Sequence, residues 1–378
     1  MEGRSIKGNR GLKKIGVLLG LVAFVALLLV VLTMNRDRLT VGHLVRGIQY
    51  HNLGSVTRAE EFHFANLASN MFSVFGDGLA VASSSGVTVY NRRADQVYAA
   101  HVPLENPVIE TAGDFVLAYD LGGFDIQVGN TREHLWHLEA DGQIIAAHIN
   151  ENGWVTVSSE QGGTLGVVRV YDPEGRARFH VRAGVGHLIT AGLAADNRTL
   201  VFLTMTEVGG RVAWYTIDVE REEPEYEYLE AGELFFDLWF TDRNGSVGVI
   251  SSNMVRFLSN RGEPKGAYQF PDWHLHAYDT DRGNVVLHIS PHPTGAGGLL
   301  VLLEPDGTKR EISTEGAVLD LSLRGRYLAV LSFDQLMIYR GDRAYAYWTE
   351  TEGMVRVLMR EDGTVFRLSS HRARLLVP

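Results

Sequence analysis

The chain has 378 residues, of which 45% are hydrophobic and 21% are charged, and this is ordinary for a globular protein with a large core. It contains no cysteine, which excludes disulfides, thiolate metal sites and cysteine nucleophiles. Residues 1–46 hold eight Lys or Arg and two acids, so the rest of the chain carries a net charge of −16 within the total of −10. An acidic main body argues against nucleic acid as a partner, because phosphates would be repelled.

The first candidate element is an apolar stretch at residues 15–33, which reads IGVLLGLVAFVALLLVVLT and has no charge. Nineteen residues in a helix are long enough to cross a hydrocarbon core of about 30 Å. The alternative is a cleavable signal peptide, but its apolar region would be shorter and would end in a small-x-small site. We therefore predict a single transmembrane helix at 15–33 and a cell-membrane location.

The flanking charges predict the orientation of this helix. Residues 1–14 contain five Lys or Arg, whereas few basic residues closely follow the apolar stretch. The positive-inside rule then predicts that 1–14 is a cytoplasmic tail and that the long C-terminal part is extracytoplasmic. Residues 34–59 are predicted to be a linker.

After about residue 70, one pattern recurs: a polar turn leads into an apolar strand, a short turn and a second strand. The turns recur 36 to 48 residues apart, at Gly78, Asp114, Gly153, Asn197, Gly245, Gly283, Gly325 and Gly363. A repeat of about 40–50 residues built of four short strands is typical of a β-propeller blade. We predict an all-β protein with an eight-bladed propeller; seven blades is the alternative, if one hairpin is an insertion.

The two ends of the repeat region predict how the ring closes. The last unit has an inner strand at 354–359 and two further strands, but it lacks a fourth. Residues 60–65, EEFHFA, form a candidate strand with no blade of its own. We predict that Phe62 and Phe64 belong to a strand that pairs with residues 371–377, which would cover the exposed edge and define a propeller over 60–378.

The basic tail, the single span and the ring of degenerate blades resemble a bacterial family of membrane-anchored propeller proteins from Gram-positive anaerobes, known as a domain of unknown function. The resemblance rests on this architecture and on residues 52–91, from NLGSV to GVTVYN, and implies no activity. WD-repeat propellers fit less well, because their Gly-His and Trp-Asp pairs do not recur here. Quinone-dependent dehydrogenase propellers repeat a Trp in each blade, whereas the six Trp here share no blade position.

The sixth repeat contains a cluster of histidines. His274 and His276 are two residues apart and are predicted to share one face of an inner strand, with His288 on the next strand and His292 in the following turn. Converging imidazoles bind zinc or copper. We favour the alternative, in which the rings pack between blades, and we predict no metal and no cofactor.

An acidic stretch at residues 220–230, EREEPEYEYLE, is the second candidate site. The simpler interpretation is the solvated outer strand of the fourth blade. The sharper hypothesis is a docking edge for a basic partner. Its candidate residues are Glu222, Glu223, Glu225, Tyr226, Glu227 and Tyr228.

No catalytic signature is present: the sequence lacks a Gly-x-Ser-x-Gly elbow and a phosphate loop that precedes a helix. We therefore predict a membrane-anchored, extracytoplasmic module that binds or scaffolds an envelope protein or a cell-wall polymer. The alternative is a surface-anchored enzyme that acts on glycans or peptides. That alternative predicts acids and histidines that converge in the central channel with shifted pKa values.

Overall fold

The computed structural model describes residues 61–64, 69–217, 223–349 and 351–377. These residues form eight four-stranded sheets, which confirms the all-β propeller with eight blades rather than seven. The predicted tail, transmembrane helix and linker lie outside the described residues. Within the described ranges, no helix is long and apolar enough to span a membrane.

The strand at the start of the propeller, β1, spans Glu61–His63. Blade one contains β2 Met71–Phe75, β3 Gly78–Ser83, β4 Gly86–Tyr90 and β5 Gln96–Ala100. Blade two contains β6 Pro107–Ala112, β7 Phe115–Asp120, β8 Asp125–Asn130 and β9 His134–Glu139. Blade three contains β10 Gln143–Ile149, β11 Val155–Glu160, β12 Val167–Tyr171 and β13 Ala177–Arg182. Blade four contains β14 His187–Leu193, β15 Thr199–Met205, β16 Gly209–Thr216 and β17 Tyr226–Ala231.

Blade five contains β18 Asp237–Phe240, β19 Val247–Ile250, β20 Met254–Leu258 and β21 Pro264–Gln269. Blade six contains β22 His274–Asp281, β23 Asn284–Ser290, β24 Gly298–Leu303 and β25 Lys309–Thr314. Blade seven contains β26 Val318–Arg324, β27 Tyr327–Ser332, β28 Leu336–Arg340 and β29 Arg343–Trp348. Blade eight contains β30 Arg356–Met359, β31 Val365–Leu368 and β32 Arg372–Leu376, with β1 as its outermost strand. We label the strands of each blade a to d from the innermost outwards.

The core lies between blades. The second strands are buried along most of their length, and β3 (GLAVAS) is buried at every position, because a neighbouring blade covers each side of the sheet. The outermost strands, such as β9, alternate between half-buried and exposed positions, because one side faces solvent. Each hydrophobic cluster joins two neighbouring blades; Leu117 and Val128 of blade two, for example, pack with Ile144 and Val157 of blade three.

The ring closes through β1, which pairs antiparallel with β32. The backbone N–H of Phe64 donates to the carbonyl oxygen of His371 at 3.2 Å. The Phe62 side chain is fully buried, and its ring lies edge-on to Phe366 of blade eight (5.3 Å between centroids) and to Tyr90 of blade one (6.1 Å). Phe62 therefore contacts both the last blade and the first, and β1 covers the edge that β32 would otherwise expose.

Turn geometry explains how consecutive blades nest. Gly283, between β22 and β23, has a φ of +85°, a conformation that favours glycine. A Cβ atom at this position would lie 2.8 Å from the Cα of Thr241 in blade five. The indole N–H of Trp239 donates to the carbonyl oxygen of Gly283 at 3.1 Å. The turn of blade six thus fits closely against the inner strand of blade five.

The ring has two faces of different construction. All a–b and c–d turns emerge on one side, because the strands alternate in direction. We call this side the turn face; its described residues are 76–77, 91–95, 113–114, 131–133, 150–154, 172–176, 194–198, 217, 223–225, 241–246, 259–263, 282–283, 304–308, 325–326, 341–342 and 360–364. All b–c turns and d-to-a connections emerge on the other side. We call this side the loop face; its described residues are 64, 69–70, 84–85, 101–106, 121–124, 140–142, 161–166, 183–186, 206–208, 232–236, 251–253, 270–273, 291–297, 315–317, 333–335, 349, 351–355 and 369–371.

Candidate functional site

The loop face carries most of the exposed large apolar side chains. The most exposed is Phe333, at 76%, in the b–c turn of blade seven. Met205 and Leu319 lie at the adjoining strand ends. On the turn-face side, Tyr226 begins β17 and Val377 follows β32, and the described turns of that face contain no other exposed large apolar residue. The loop-face set is Leu121, Phe124, Leu165, Val185, Val208, Leu234, Phe236, Phe333 and Val355. Apolar groups gathered on one side of a ring are typical of an interaction surface.

A funnel-shaped cavity of about 780 Å³ opens on the turn face, between the inner strands of blades two to six. Glu110, His148 and Asp237, which belong to three different inner strands, line it together. The turn residues at its mouth include four charged side chains, Glu151, Asp242, Arg243 and Arg282. Acids and a histidine do converge in the channel, as the enzyme alternative requires.

His148 links three blades. Its Nδ1 lies 3.1 Å from Glu110 Oε2, and its Nε2 lies 2.7 Å from Thr190 Oγ1. Burial alone would lower the pKa of His148, but the nearby Glu110 carboxylate more than offsets this, so the pKa lies above its ordinary value. A hydroxyl, an imidazole and a carboxylate in series are the parts of a nucleophilic triad. Thr190, however, is only 4% exposed and does not line the funnel, so its hydroxyl is out of reach of a substrate there.

The other acids of the inner strands also connect neighbouring blades. Asp237 accepts the phenolic hydroxyl of Tyr278 at 2.8 Å. Asp279 and Asp320 each accept a backbone N–H of the next blade at 2.7 Å. Burial raises the pKa of Asp279, and it raises that of Asp320 to about 6. These shifted pKa values accompany carboxylates that hold blades together, which is a structural role.

The histidines of blade six lie close together but not as the sequence predicts. His276 is the extra residue of a β-bulge in β22, so the regular alternation that would place it on one face with His274 is interrupted. The ring centroids of His274 and His276 are 6.3 Å apart, and those of His276 and His288 are 5.6 Å apart. His292 contributes its backbone: its carbonyl oxygen accepts the Nε2–H of His276 at 3.0 Å.

His288 is the buried member of this cluster. Burial, with a smaller contribution from His276, lowers the pKa of His288 to about 4, so the ring is neutral at physiological pH. Its Nε2 lies 3.3 Å from the hydroxyl of Thr314. Among the described residues, no group of three or more His, Asp or Glu side chains is arranged to hold a metal ion.

The acidic stretch forms the outer edge of blade four. Glu222 lies outside the described residues, Glu223 and Glu225 precede β17, and the other candidates, Tyr226, Glu227 and Tyr228, belong to β17 itself. Two arginines partly neutralise this edge. Arg211 pairs with Glu227 at 2.7 Å; Arg256 of the next blade pairs with Glu230 at 2.6 Å and lies 5.9 Å from the centre of the Tyr228 ring.

Comparison with known proteins places the chain in a family. The model described as "Family of unknown function (DUF5711)" matches residues 49–270, more than half of the chain. The chain belongs to the DUF5711 family. No curated protein matches the DUF5711 chain.

Similar solved structures include the C-terminal WD40 domain of Sif2, with a TM-score of 0.61 and 12% identity over 85% of the DUF5711 chain and 98% of that domain. The computationally designed Ika8 protein is similar with a TM-score of 0.60 and 11% identity, over 81% of the DUF5711 chain and 95% of the design. Identities this low show a shared propeller fold and nothing about activity. The WD40 likeness appears without WD-repeat motifs, because blade geometry does not depend on them.

Two of these features of the DUF5711 chain were not predicted from its sequence. The hydrogen-bonded series of Glu110, His148 and Thr190 joins residues about 40 positions apart on three strands. The apolar loop face was also missed, although its signal is present in the sequence: large hydrophobic residues such as Phe124 and Phe333 stand in turns, where polar residues are usual.

Proposed function

We propose that this DUF5711 protein is a membrane-anchored, extracytoplasmic binding module that docks an envelope protein through the loop face of its propeller. The observation that carries the proposal is the gathering of exposed large apolar side chains on that face. A typical protein interface has an apolar, partly aromatic centre within a polar rim. The loop face offers such anchors, above all the Phe333 ring.

The anchor and the location rest on the sequence. The uncharged stretch at 15–33 is long enough to cross a bilayer, and the excess of Lys and Arg at 1–14 favours a cytoplasmic N-terminus. A tethered ring would hold its partner at the membrane surface without any chemistry of its own.

The enzyme alternative has one observation in its favour, namely the carboxylates and the imidazole that line the funnel. Two facts weaken it. Among the described residues, the hydroxyl bonded to His148 is that of buried Thr190, and the carboxylates of Asp237, Asp279 and Asp320 are already hydrogen-bonded to neighbouring blades. We therefore prefer the binding module to the enzyme.

Absence of cysteine makes a direct test simple, because a single introduced thiol is unique in the chain. Phe333→Cys places a thiol on the loop face, and Arg326→Cys places one on the turn face of the same blade. Labelling intact cells with a membrane-impermeant maleimide tests the location: both thiols react if the propeller is extracytoplasmic, and neither reacts if it is cytoplasmic.

The same two variants, carrying a photo-cross-linker on the thiol, test the docking face. In native membranes we expect a discrete protein adduct from Phe333→Cys and none from Arg326→Cys. Equal adducts from both positions, or adducts from Arg326→Cys alone, would contradict docking through the loop face.

A further inference from the structure

The loop face is acidic as well as apolar. Its described residues include eight acids and no Lys or Arg. Three basic residues, Arg182, Arg356 and Arg372, stand at strand ends beside it. The eight acids are Glu105, Asp141, Glu207, Glu233, Asp272, Glu315, Asp334 and Glu352.

Most of these carboxylates form no ion pair, and one of them, Glu352, lines a pocket that Arg367 and Arg372 also line. Asp141 pairs with Arg169, and Glu233 accepts the Ser251 hydroxyl at 2.6 Å. The other six form no ion pair with any described residue. The set is Glu105, Glu207, Asp272, Glu315, Asp334 and Glu352, and all six are exposed.

The turn face of the same ring is different. Ten arginines lie in its described residues: Arg92, Arg93, Arg132, Arg176, Arg198, Arg243, Arg261, Arg282, Arg326 and Arg360. Several of them pair with acids of that face; Arg176, for example, binds Asp172 at 2.8 Å, and Arg282 binds Glu361 at 2.5 Å. The turn face also holds 17 acids, so its net charge with the ten arginines is −7, against −8 for the loop face. The two faces differ in that only the turn face mixes arginine with its acids.

On the loop face, acidic residues also stand next to exposed apolar residues in the sequence. In three loops an acid is the immediate neighbour of an exposed apolar residue. The pairs are Glu207 with Val208, Glu233 with Leu234, and Asp334 with Phe333. A complementary surface would place Lys or Arg beside its own apolar side chains, as a basic amphipathic helix does.

From this pattern, and resting on the proposed function, we infer that the loop face docks a basic amphipathic segment of a partner protein. Unpaired carboxylates repel anionic polymers and anionic lipid surfaces, so the charge favours a protein partner over both. The same charge would attract a basic partner to this face, where no Lys or Arg of the described loops would repel it.

The test uses the purified full-length protein in detergent and two synthetic peptide probes of about 18 residues, enough for a stable apolar stripe of Leu. One peptide has Lys on its polar face and the other has Glu. Binding is measured by fluorescence anisotropy at NaCl concentrations from about 50 to about 500 mM, a range over which exposed charges become strongly screened.

Two fourfold variants separate the loop face from general acidity. The loop-face variant carries Glu207→Gln, Asp272→Asn, Glu315→Gln and Asp334→Asn. The matched control carries Asp114→Asn, Glu133→Gln, Glu263→Gln and Asp342→Asn, all of them exposed residues of the turn face. Both variants change the net charge by the same amount and remove two Asp and two Glu. Unchanged thermal melting would show that both remain folded.

We expect the wild-type protein to bind the Lys peptide and not the Glu peptide, with an affinity that falls as salt rises. The loop-face variant should bind about tenfold more weakly, because each exposed ion pair contributes a factor of about 1.4 to 5. The control should stay within about twofold of the wild type. Equal losses in both variants, equal binding of the two peptides, or no binding at all would overturn the inference.

The cross-linking experiment distinguishes failure of this inference from failure of the proposed function. A protein adduct of Phe333→Cys whose cross-linked segment is acidic or uncharged would remove the inference and leave the binding module intact. A lipid adduct at that position would place the face against a bilayer and remove both.

Discussion

Closure of the ring by β1 can be tested at one side chain, Phe62. Substitution Phe62→Ala removes a ring that is fully buried between blade eight and blade one. Truncation of a buried Phe costs about 3–5 kcal/mol through lost transfer energy and the cavity that remains. The edge-on contacts with Phe366 and Tyr90 are part of that loss. Because β1 is only three residues long, we expect a cost near the upper end, about 4–5 kcal/mol, as the strand loses its main side-chain contact.

The assay is urea unfolding of the full-length protein, monitored by tryptophan fluorescence, with hydrogen exchange of β32 as a local readout. The control is Phe124→Ala, since Phe124 is 45% exposed on the loop face and its truncation should cost less than about 1 kcal/mol. In Phe62→Ala, the amides of β32 should exchange faster than in the wild type, and this loss of protection should be larger than that in the other blades. If both substitutions cost the same, or if β32 keeps its protection, β1 does not hold the ring closed.

The inner strands and their turns provide three further predictions. Because burial raises the pKa of Asp320 to about 6, above about 3.9 in an unfolded chain, its ionisation destabilises the fold as pH rises. The stability of Asp320→Asn relative to the wild type should therefore rise by about 1.4 kcal/mol from pH 5 to pH 8 in urea titrations, and a constant difference would contradict this. Substitution Glu110→Gln should lower the pKa of His148, measured by NMR titration; an unchanged pKa would show that Glu110 does not raise it. Gly283→Ala should destabilise by about 1–3 kcal/mol more than Gly307→Ala, because both have positive φ but only Gly283 faces a neighbouring backbone; equal unfolding midpoints would refute the clash.

The number of blades could be predicted from the sequence because it depends on local features. In each blade a polar turn between strands a and b precedes an apolar run, and such signals as Gly283 and Asn197, both at positive φ, lie at the turns themselves. Strand count and order then result from the repeat. The eight sheets confirm the predicted number of blades.

The sites could not be predicted in the same way, because they depend on register between distant strands. The bulge at His276 adds one residue to β22 and changes the direction of the side chains after it, yet nothing in the local sequence marks it. The bonds of His148 reach 38 residues back and 42 forward, so they require the spacing of three blades to be known within about an ångström.

The contrast between the faces is not something that the propeller fold itself demands. Both faces are built from short turns between strands of the same sheets, and the turn face shows that such turns accept arginine and pair it with nearby acids. On the loop face, exposed carboxylates without an ion-pair partner repel one another, and exposed apolar groups such as Phe333 remain in contact with water. Both are unfavourable costs that the free protein keeps until a partner covers the face. A partner that supplies positive charge and apolar contacts would relieve both costs together. Because the funnel opens on the opposite face, docking of this kind would leave it accessible, so loop-face and funnel variants should separate binding from any activity in the channel.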